Sequence, residues 1–480
     1  MRERALTVAA VCAVTVLGLT AVAPVAGAAP VAVGGKAAGG KDADFNGDGY
    51  PDFATGAHTS TVGDVKRAGV VTVSYGSADG LKLSSASIVS QATPGVPGEP
   101  LDDGRWREVS AFGDLDGDGY DDLVINWAER TTVLWGSKDG ITGAGTTVAV
   151  GNATAANPKA LGGTIGVGDV NGDGVDDYVT RGHNGKTYGL SVRLGPMNRT
   201  TGGSAGVWFR DTGGLDKLLT SAAFVGDMTG DGIDDVVVSG GVVLGNGTPG
   251  AVVFKGSATG LVKSGTFSGL YQYSTYYPSA FGDLNKDGYQ DLVTGHADLD
   301  KVYLTYGGPN GMSDTLKPRS YSQADTGVPG IEEPGDEFGS AVAIGDTDQD
   351  GYDDVIIGAS YETASDVATT AKSGAITVLR GSASGITTTG AVTFTQNSKS
   401  IPSTSENDDH FGAAAAVLDS DKDGSPEVYV GGNGEDGYKG RVWKLLTGPT
   451  GVTGTGATSF HLGTLGGSTG GGNFGYRIAG

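Results

Sequence analysis

Along most of the chain, apolar residues alternate with small or polar ones over stretches of five to eight positions, and glycine-rich turns separate the stretches. The region from Phe338 shows the pattern most fully. Phe338-Gly339-Ser340-Ala341-Val342-Ala343-Ile344 reads as a strand, an acidic turn follows, and Asp354 to Ala359 reads as a second strand. Gly374-Ala375-Ile376-Thr377-Val378-Leu379 is a third, ended by the turn Gly381-Ser382-Ala383-Ser384-Gly385, and Ala391 to Gln396 is a fourth. Period-two alternation between glycine turns is the mark of half-buried strands. The third strand and its turn recur as VVTVSYGSADGL, TTVLWGSKDGI, LSVRLGPMNRT, AVVFKGSATGL, VYLTYGGPNGM, AITVLRGSASGI and VWKLLTGPTGV. Seven units of four strands predict an all-β chain of about 28 strands. Four-stranded units repeated around an axis describe a seven-bladed β-propeller, whose closure protects the sheet edges.

The turn between the first two strands of each unit carries the chemistry. D-x-[DNT]-x-D-G-x-x-[DE] occurs seven times. Its first, third, fifth and ninth positions are Asp44, Asn46, Asp48 and Asp52, then Asp114, Asp116, Asp118 and Asp122, then Asp169, Asn171, Asp173 and Asp177. The fourth loop has Asp227, Thr229, Asp231 and Asp235, and the fifth Asp283, Asn285, Asp287 and Asp291. The sixth has Asp346, Asp348, Asp350 and Asp354, and the seventh Asp419, Asp421, Asp423 and Glu427. Oxygen donors at this spacing converge on one hard cation, and glycine at the sixth position permits the sharp turn. A backbone carbonyl at position seven and the ninth-position carboxylate complete the shell. The twelfth position is Thr55, Ile125, Thr180, Val238, Thr294, Ile357 and Val430, never the bidentate Glu of an EF-hand. All seven of those residues are β-branched, so the ion is expected in a β-hairpin turn. Up to seven Ca²⁺ ions are expected, since Mg²⁺ resists an all-protein oxygen cage. The fourth loop, with Thr229 as third ligand, is expected to bind poorly.

The two ends of the chain suggest how the ring closes. The first unit has no leading strand, whereas Phe474-Gly475-Tyr476-Arg477-Ile478-Ala479-Gly480 aligns with Phe338–Ile344. The C-terminal strand is therefore expected to enter the first blade, making the first hairpin a noncovalent join with the least constrained loop.

Composition narrows the function. Glycine supplies 87 of 480 residues, far above the usual share of about 7%, and this disfavours helical bundles. The formal charge of −23 argues against a nucleic-acid partner. Of 55 acids, 24 sit at the four ligand positions of the loops, leaving 31 against 32 bases. The acidity thus belongs to the loops. Arg2 and Arg4, an apolar run from Ala5 to about Val25 and Ala26-Gly27-Ala28 read as a signal peptide over 1–28, with a flexible lead-in over 29–41 and the propeller over 42–480. Cleavage would remove Cys12, the one cysteine, and leave a secreted chain without a membrane span.

The Phe-Gly strand, the D-x-D-x-D-G-x-x-D loop and the G-x-V-x-V strand with its turn resemble the FG-GAP repeats of the integrin α-subunit head, also described as VCBS-type repeats. The resemblance covers about residues 42–480. It implies structural Ca²⁺ on one face and a ligand face opposite. At the head of the leading strand Phe-Gly is literal only at 338–339, 411–412 and 474–475, and Trp106-Arg107 stands there in the second unit. The intervals leave no room for an inserted adhesion domain, so the heterodimer role is not carried over.

No catalytic constellation is legible. His58, His183, His296, His410 and His461 are scattered, and no G-x-S-x-G or H-E-x-x-H occurs. Three Pro-bearing loops (90–103, 322–337, 396–409) carry Glu99, Asp102, Asp103, Glu332, Glu333, Asp336, Glu337, Glu406, Asp408 and Asp409, either as solvated surface or as a site for a cationic or hydroxyl-rich ligand. Trp106, Trp127, Trp135, Trp208 and Trp443 suit packing between blades better than sugar stacking, with Tyr271, Tyr273, Tyr276 and Tyr277 the best exception. The expected function is a monomeric, secreted, calcium-stabilised binding or adhesion module for an extracellular protein or glycan. The alternative is a secreted hydrolase or polysaccharide lyase on the same scaffold.

Overall fold

The computed structural model describes residues 42–480 except 105, 107, 128–129, 149–165, 184–187, 212–221, 241–249, 269–277, 364–370 and 469–471. The export segment, its lead-in and the Tyr271–Tyr277 cluster lie outside the described residues.

The described strands form seven antiparallel sheets of four strands each. In six of the sheets the four strands are neighbours in chain order, and in the first blade the leading place is taken by a strand from the far end of the chain. The sixth blade holds Phe338–Gly345, Asp354–Ala359, Ala375–Arg380 and Thr387–Phe394. The fourth strand begins four residues earlier than its alternation suggests. The register shifts between Val378 and Arg380, so Arg380 already pairs with Thr387.

Second strands such as Asp354–Ala359, Glu427–Gly432 and Asp291–His296 are buried at every residue. Each lies in a sheet covered on both faces by neighbouring blades, which is why these segments read as apolar runs rather than strict alternation. The described core is accordingly split into seven apolar clusters, each shared by two adjacent blades. Tyr306, Tyr321, Phe338, Ile344 and Ile357 join the fifth blade to the sixth, and Phe411, Val430, Trp443 and Leu445 lie between the sixth and seventh.

Ring closure follows the expected route. The first blade consists of Phe53–Ala57, Val70–Ser74 and Ser87–Val89, completed by Ile478–Ala479 from the other end of the chain. Ala54 pairs with Ala479 and Thr55 with Ile478, while Thr55 Oγ1 donates to the Arg477 carbonyl at 2.6 Å. The completing strand is two residues long. Phe474, fully buried, packs its ring 5.9 Å from Phe460. The first loop is as firmly held as its neighbours: Asp44 N–H donates to Asp121 Oδ2 at 2.9 Å, and Phe45 N–H to Asp52 Oδ2 at 2.8 Å.

The Phe-Gly pair sets the blade spacing. Phe338, Phe411 and Phe474 are fully buried plugs, and the glycines after them hold φ of +100°, +92° and +82°. A Cβ on Gly295, Gly358 or Gly431, in the second strand of the preceding blade, would strike the carbonyl of Gly339, Gly412 or Gly475 respectively. Backbone meets backbone at these joints, which only glycine allows. Trp106 takes the phenylalanine's place in the second blade. It is fully buried, and its carbonyl faces Gly69 as the Phe411 carbonyl faces Gly374.

Candidate metal centres and the opposite face

Each acidic loop is folded by its own carboxylates. The first-position Asp accepts backbone N–H groups from the turn ahead of it. Asp114 Oδ1 accepts from Gly117 and Asp118, and its Oδ2 from Gly119. Asp419 accepts from Asp423 and Gly424 in the same way. The fifth-position Asp caps position seven, as in Asp48 to Tyr50 at 3.0 Å and Asp350 to Tyr352 at 3.0 Å. These bonds curl the loop so that side-chain oxygens gather.

The ninth-position carboxylate is a buried clasp. Asp52, Asp122, Asp177, Asp235 and Asp291 are fully buried. In each, one oxygen accepts a backbone N–H of the loop's start and the other that of the glycine ending the third strand. Asp122 bonds Leu115 and Gly136, and Asp291 bonds Leu284 and Gly307. Glu427 instead accepts from both the N–H and the hydroxyl of Ser420. Burial, opposed by these amides and reinforced by neighbouring carboxylates, pushes Asp52 up to about 8, Asp122 to about 9 and Asp291 to about 8.

Three loops bring three carboxylates within 4.8 Å of one another: Asp114, Asp116 and Asp122; Asp346, Asp348 and Asp350; Asp419, Asp421 and Asp423. Asp44 Oδ1, Asp116 Oδ1 and Asp348 Oδ1 are buried without a hydrogen-bond partner. An all-oxygen donor set with orphaned, mutually repelling carboxylate oxygens fits a hard divalent cation. In the first, third and fifth loops the third ligand is an amide, whose Nδ2 lies toward the fifth-position Asp: Asn46 to Asp48 at 3.2 Å, Asn171 to Asp173 at 3.0 Å and Asn285 to Asp287 at 2.9 Å. The first, third, fourth and fifth loops, each with three ligand-position carboxylates, gather no such trio among the described residues.

The eighth position, which the motif leaves open, links neighbouring loops. Asp121 accepts from Asp44 N–H, Asp176 from Asp114, Asp234 from Asp169, Gln290 from Asp227, and Asp353 from Asp283. Backbone bonds return the contact, from Asp121 N–H to the Asp44 carbonyl at 3.0 Å through to Asp353 N–H and the Asp283 carbonyl at 3.3 Å. The alternation of strands and turns gives no sign of this belt. Only comparing one column of the seven loops would have shown it.

At the other end of the strands the structure gathers side chains that lie far apart in sequence. The His410 ring lies 5.0 Å from Tyr361 and 6.0 Å from Tyr438, and Lys372 Nζ sits 4.0 Å above the Tyr361 ring. His58 meets Tyr476 at 4.6 Å, with Arg477 5.2 Å over that same ring. Burial, followed by Glu337, Tyr438, Asp408 and Tyr476, raises the Tyr361 hydroxyl, and burial lowers His410. Tyr438 is 47% exposed, so the group opens to solvent. It draws on the sixth, seventh and first blades, and the sequence, read unit by unit, does not disclose it.

The three acidic loops on this face divide into braces and surface. Asp336 and Asp409 are buried and accept Glu333 N–H at 2.9 Å and Glu406 N–H at 2.5 Å. Burial pushes them up to about 6 and about 7. Asp103 pairs with Arg67 at 2.9 Å. Glu99, Asp102, Glu332, Glu333 and Glu406 are exposed. Trp106, Trp135 and Trp443 are packed in joints between blades, and Trp208 partly so.

The FG-GAP repeat family matches residues 43–74 and 338–379. Integrin alpha pat-2 of Caenorhabditis briggsae is 32% identical over 262 residues, covering 50% of this chain and 19% of the relative. Integrin alpha-5 of Xenopus laevis is 30% identical over 239 residues, covering 47% and 21%. The chain thus spans about a fifth of the length of these relatives. A crystal structure of an exotype rhamnogalacturonan lyase is 12% identical, covers 87% of this chain and 75% of its own, and gives a TM-score of 0.36, too low to bear on function. Among the described residues no helix is long and apolar enough to cross a membrane. Seven four-stranded blades, the Phe-Gly plugs, the acidic hairpin loops and the integrin α relatives together make this chain an integrin-α-like FG-GAP β-propeller.

Proposed function

We propose that the protein is an exported adhesion-type propeller, with Ca²⁺ in its hairpin loops and an extracellular protein or glycan bound on the opposite face. The observation that supports this reading most is the division of labour between the two faces. One face is occupied by loops whose carboxylates are turned inward on themselves. The other presents Tyr361, His410, Tyr438 and Tyr476 with Lys372 and Arg477 in one partly exposed group. Aromatic rings with hydroxyl, ammonium and imidazole edges can stack on apolar faces and hydrogen-bond to hydroxyls. In the loops, the candidate ligands are the residues at positions one, three, five and nine, with Ca²⁺ favoured by ligand number and oxygen type.

The test is a screen of glycans and extracellular polymers against the purified protein, with and without Ca²⁺, following both retention and product release. Saturable retention of intact ligand that weakens in Tyr438→Ala supports the reading. Retention unchanged by that substitution moves the ligand elsewhere. Ligand cleavage makes the protein an enzyme, and the Tyr361, His410 and Lys372 group is where its chemistry would be sought.

A further inference from the structure

Basic side chains are distributed over the acidic loops by a rule. Arg199 lies on Asp116 and Asp118 of the second loop. Arg380 lies on Asp348 at 2.7 Å and Asp354 at 3.1 Å in the sixth, and Lys444 on Glu427 at 2.6 Å in the seventh. These are the three loops with aspartate at position three, hence four ligand-position carboxylates. The first, third and fifth loops have asparagine there and three carboxylates, and no described ion pair reaches their ligand positions. One base per extra acid leaves the same net charge, three negative, in all six loops.

The fourth loop breaks the rule. It has three carboxylates and still carries a base: Lys255 Nζ lies 2.8 Å from Asp231 Oδ2. Thr229 Oγ1 stands 3.3 Å from Asp231 Oδ1 and 3.4 Å from Asp235 Oδ1, directing its proton at the carboxylates as the asparagine Nδ2 does in the first, third and fifth loops. Asp235 also accepts Thr229 N–H at 2.8 Å and Gly256 N–H at 3.1 Å, and Asp227 accepts Asp231 and Gly232 N–H. In the second and sixth loops an arginine leaves one buried oxygen unpartnered, on Asp116 and on Asp348. The fourth loop shows no such atom, and neither do the third, fifth and seventh among the described residues, so it is the base on a three-carboxylate loop that sets the fourth apart.

We propose that Lys255 is the fourth loop's resident cation. Its ammonium supplies the charge that a divalent ion supplies elsewhere, Thr229 fills the remaining contacts, and the loop takes no divalent ion. The arginines and Lys444 trim the four-carboxylate loops to the common charge without occupying the ion's place. A single ammonium is a weaker organiser than a doubly charged ion but needs no extracellular supply, so this hairpin stays formed when the others are stripped. The proposal rests on the reading that the other loops hold a divalent cation.

The experiment counts Ca²⁺ ions by native mass spectrometry on the full chain, comparing wild type, Lys255→Gln and the double variant Thr229→Asp/Lys255→Gln. The expected result is one more ion in the double variant than in wild type. Lys255→Gln alone is expected to lower the Tm in chelator, where wild type keeps its internal cation. An unchanged count in a folded double variant overturns the proposal. If the double variant does not fold, a Lys255→Gln Tm in chelator equal to that of wild type overturns it instead. Wild type with seven ions leaves the cation reading standing and sinks the role of Lys255. Wild type with none sinks both.

Discussion

Five of the joints between neighbouring loops are tied by a side chain at the eighth loop position, while the two joints flanking the seventh blade have proline there, Pro426 and Pro51. Proline offers neither the side-chain acceptor nor the backbone donor, so both bonds of the belt are lost at those joints. At the sixth-to-seventh joint Gln349 Nε2 reaches Ser425 Oγ at 2.7 Å and the Gly424 carbonyl at 3.3 Å instead. At the seventh-to-first joint Ser77 N–H bonds the Ser420 carbonyl at 3.1 Å, and the chain is not continuous there. One residue type at one column thus separates a tied arc of blades from a seam on either side of the seventh. At the seam the belt's bonds are missing, and closure rests on apolar burial, the two-residue closing strand and a few other polar contacts.

The strongest way to break this comparison is at the seam itself. Phe474→Ala removes a fully buried ring from the closing joint and is expected to cost about 3–5 kcal/mol in urea unfolding. A loss below about 1 kcal/mol would mean that the C-terminal segment does not hold the ring shut.

Cation removal comes next. An ion bound only to the folded state contributes about 2.7 kcal/mol per loop at a hundredfold excess over Kd. Chelator is therefore expected to lower the Tm, and an unchanged melting curve after complete stripping would refute a structural role. The stripped protein should also respond to pH. Asp52, Asp122 and Asp291 are raised by burial to about 8, 9 and 8 from an unfolded value of 3.8. The stability they lend is complete below the unfolded value and is lost as pH climbs through the folded one. Melting of the metal-free protein at pH 5 and pH 9 should show the lower Tm at pH 9. Saturating Ca²⁺ should flatten that dependence, because the ion replaces the proton.

The belt supplies the smaller effects. Asp176→Ala leaves the Asp114 N–H without its acceptor and is expected to cost about 1–3 kcal/mol. Pro426→Asp restores the missing bonds at the seam and is expected to gain about 0.5–1.5 kcal/mol. Equal Tm values for Pro426→Asp and wild type would show that the seam is not limited by those bonds.

The repeat, the blade count and the closing strand were legible because each depends on a short pattern that recurs at a fixed offset. Even Trp106 was found in the phenylalanine's place by counting. What escaped depended on relations between units. Asp121, Asp176, Asp234 and Asp353 stand at a position the motif leaves open, although each holds the loop before it. Lys255 and Arg380 end their third strands and touch carboxylates some 24 to 32 residues upstream, a contact that no local pattern implies. Tyr361, His410, Tyr438 and Tyr476 span more than 100 positions and meet only once three blades stand around one axis. Asp336 and Asp409 read as either solvated surface or part of a ligand site and are buried braces, because a Pro-bearing loop must satisfy its own turns.

The splitting of the core into clusters shared by adjacent blades has a consequence for descent. A single repeat owns no interior: each of its faces is half of something. A duplicated blade would arrive with two unmatched surfaces, and it could be kept only if both neighbours already fitted it or if the whole circle were reset at once. Within the circle, by contrast, the two sides of one joint can drift together without consulting the other six. That explains how the joint of the first and second blades can be plugged by Trp106 where the joint of the sixth and seventh is plugged by Phe411, in a ring whose number of members stays the same.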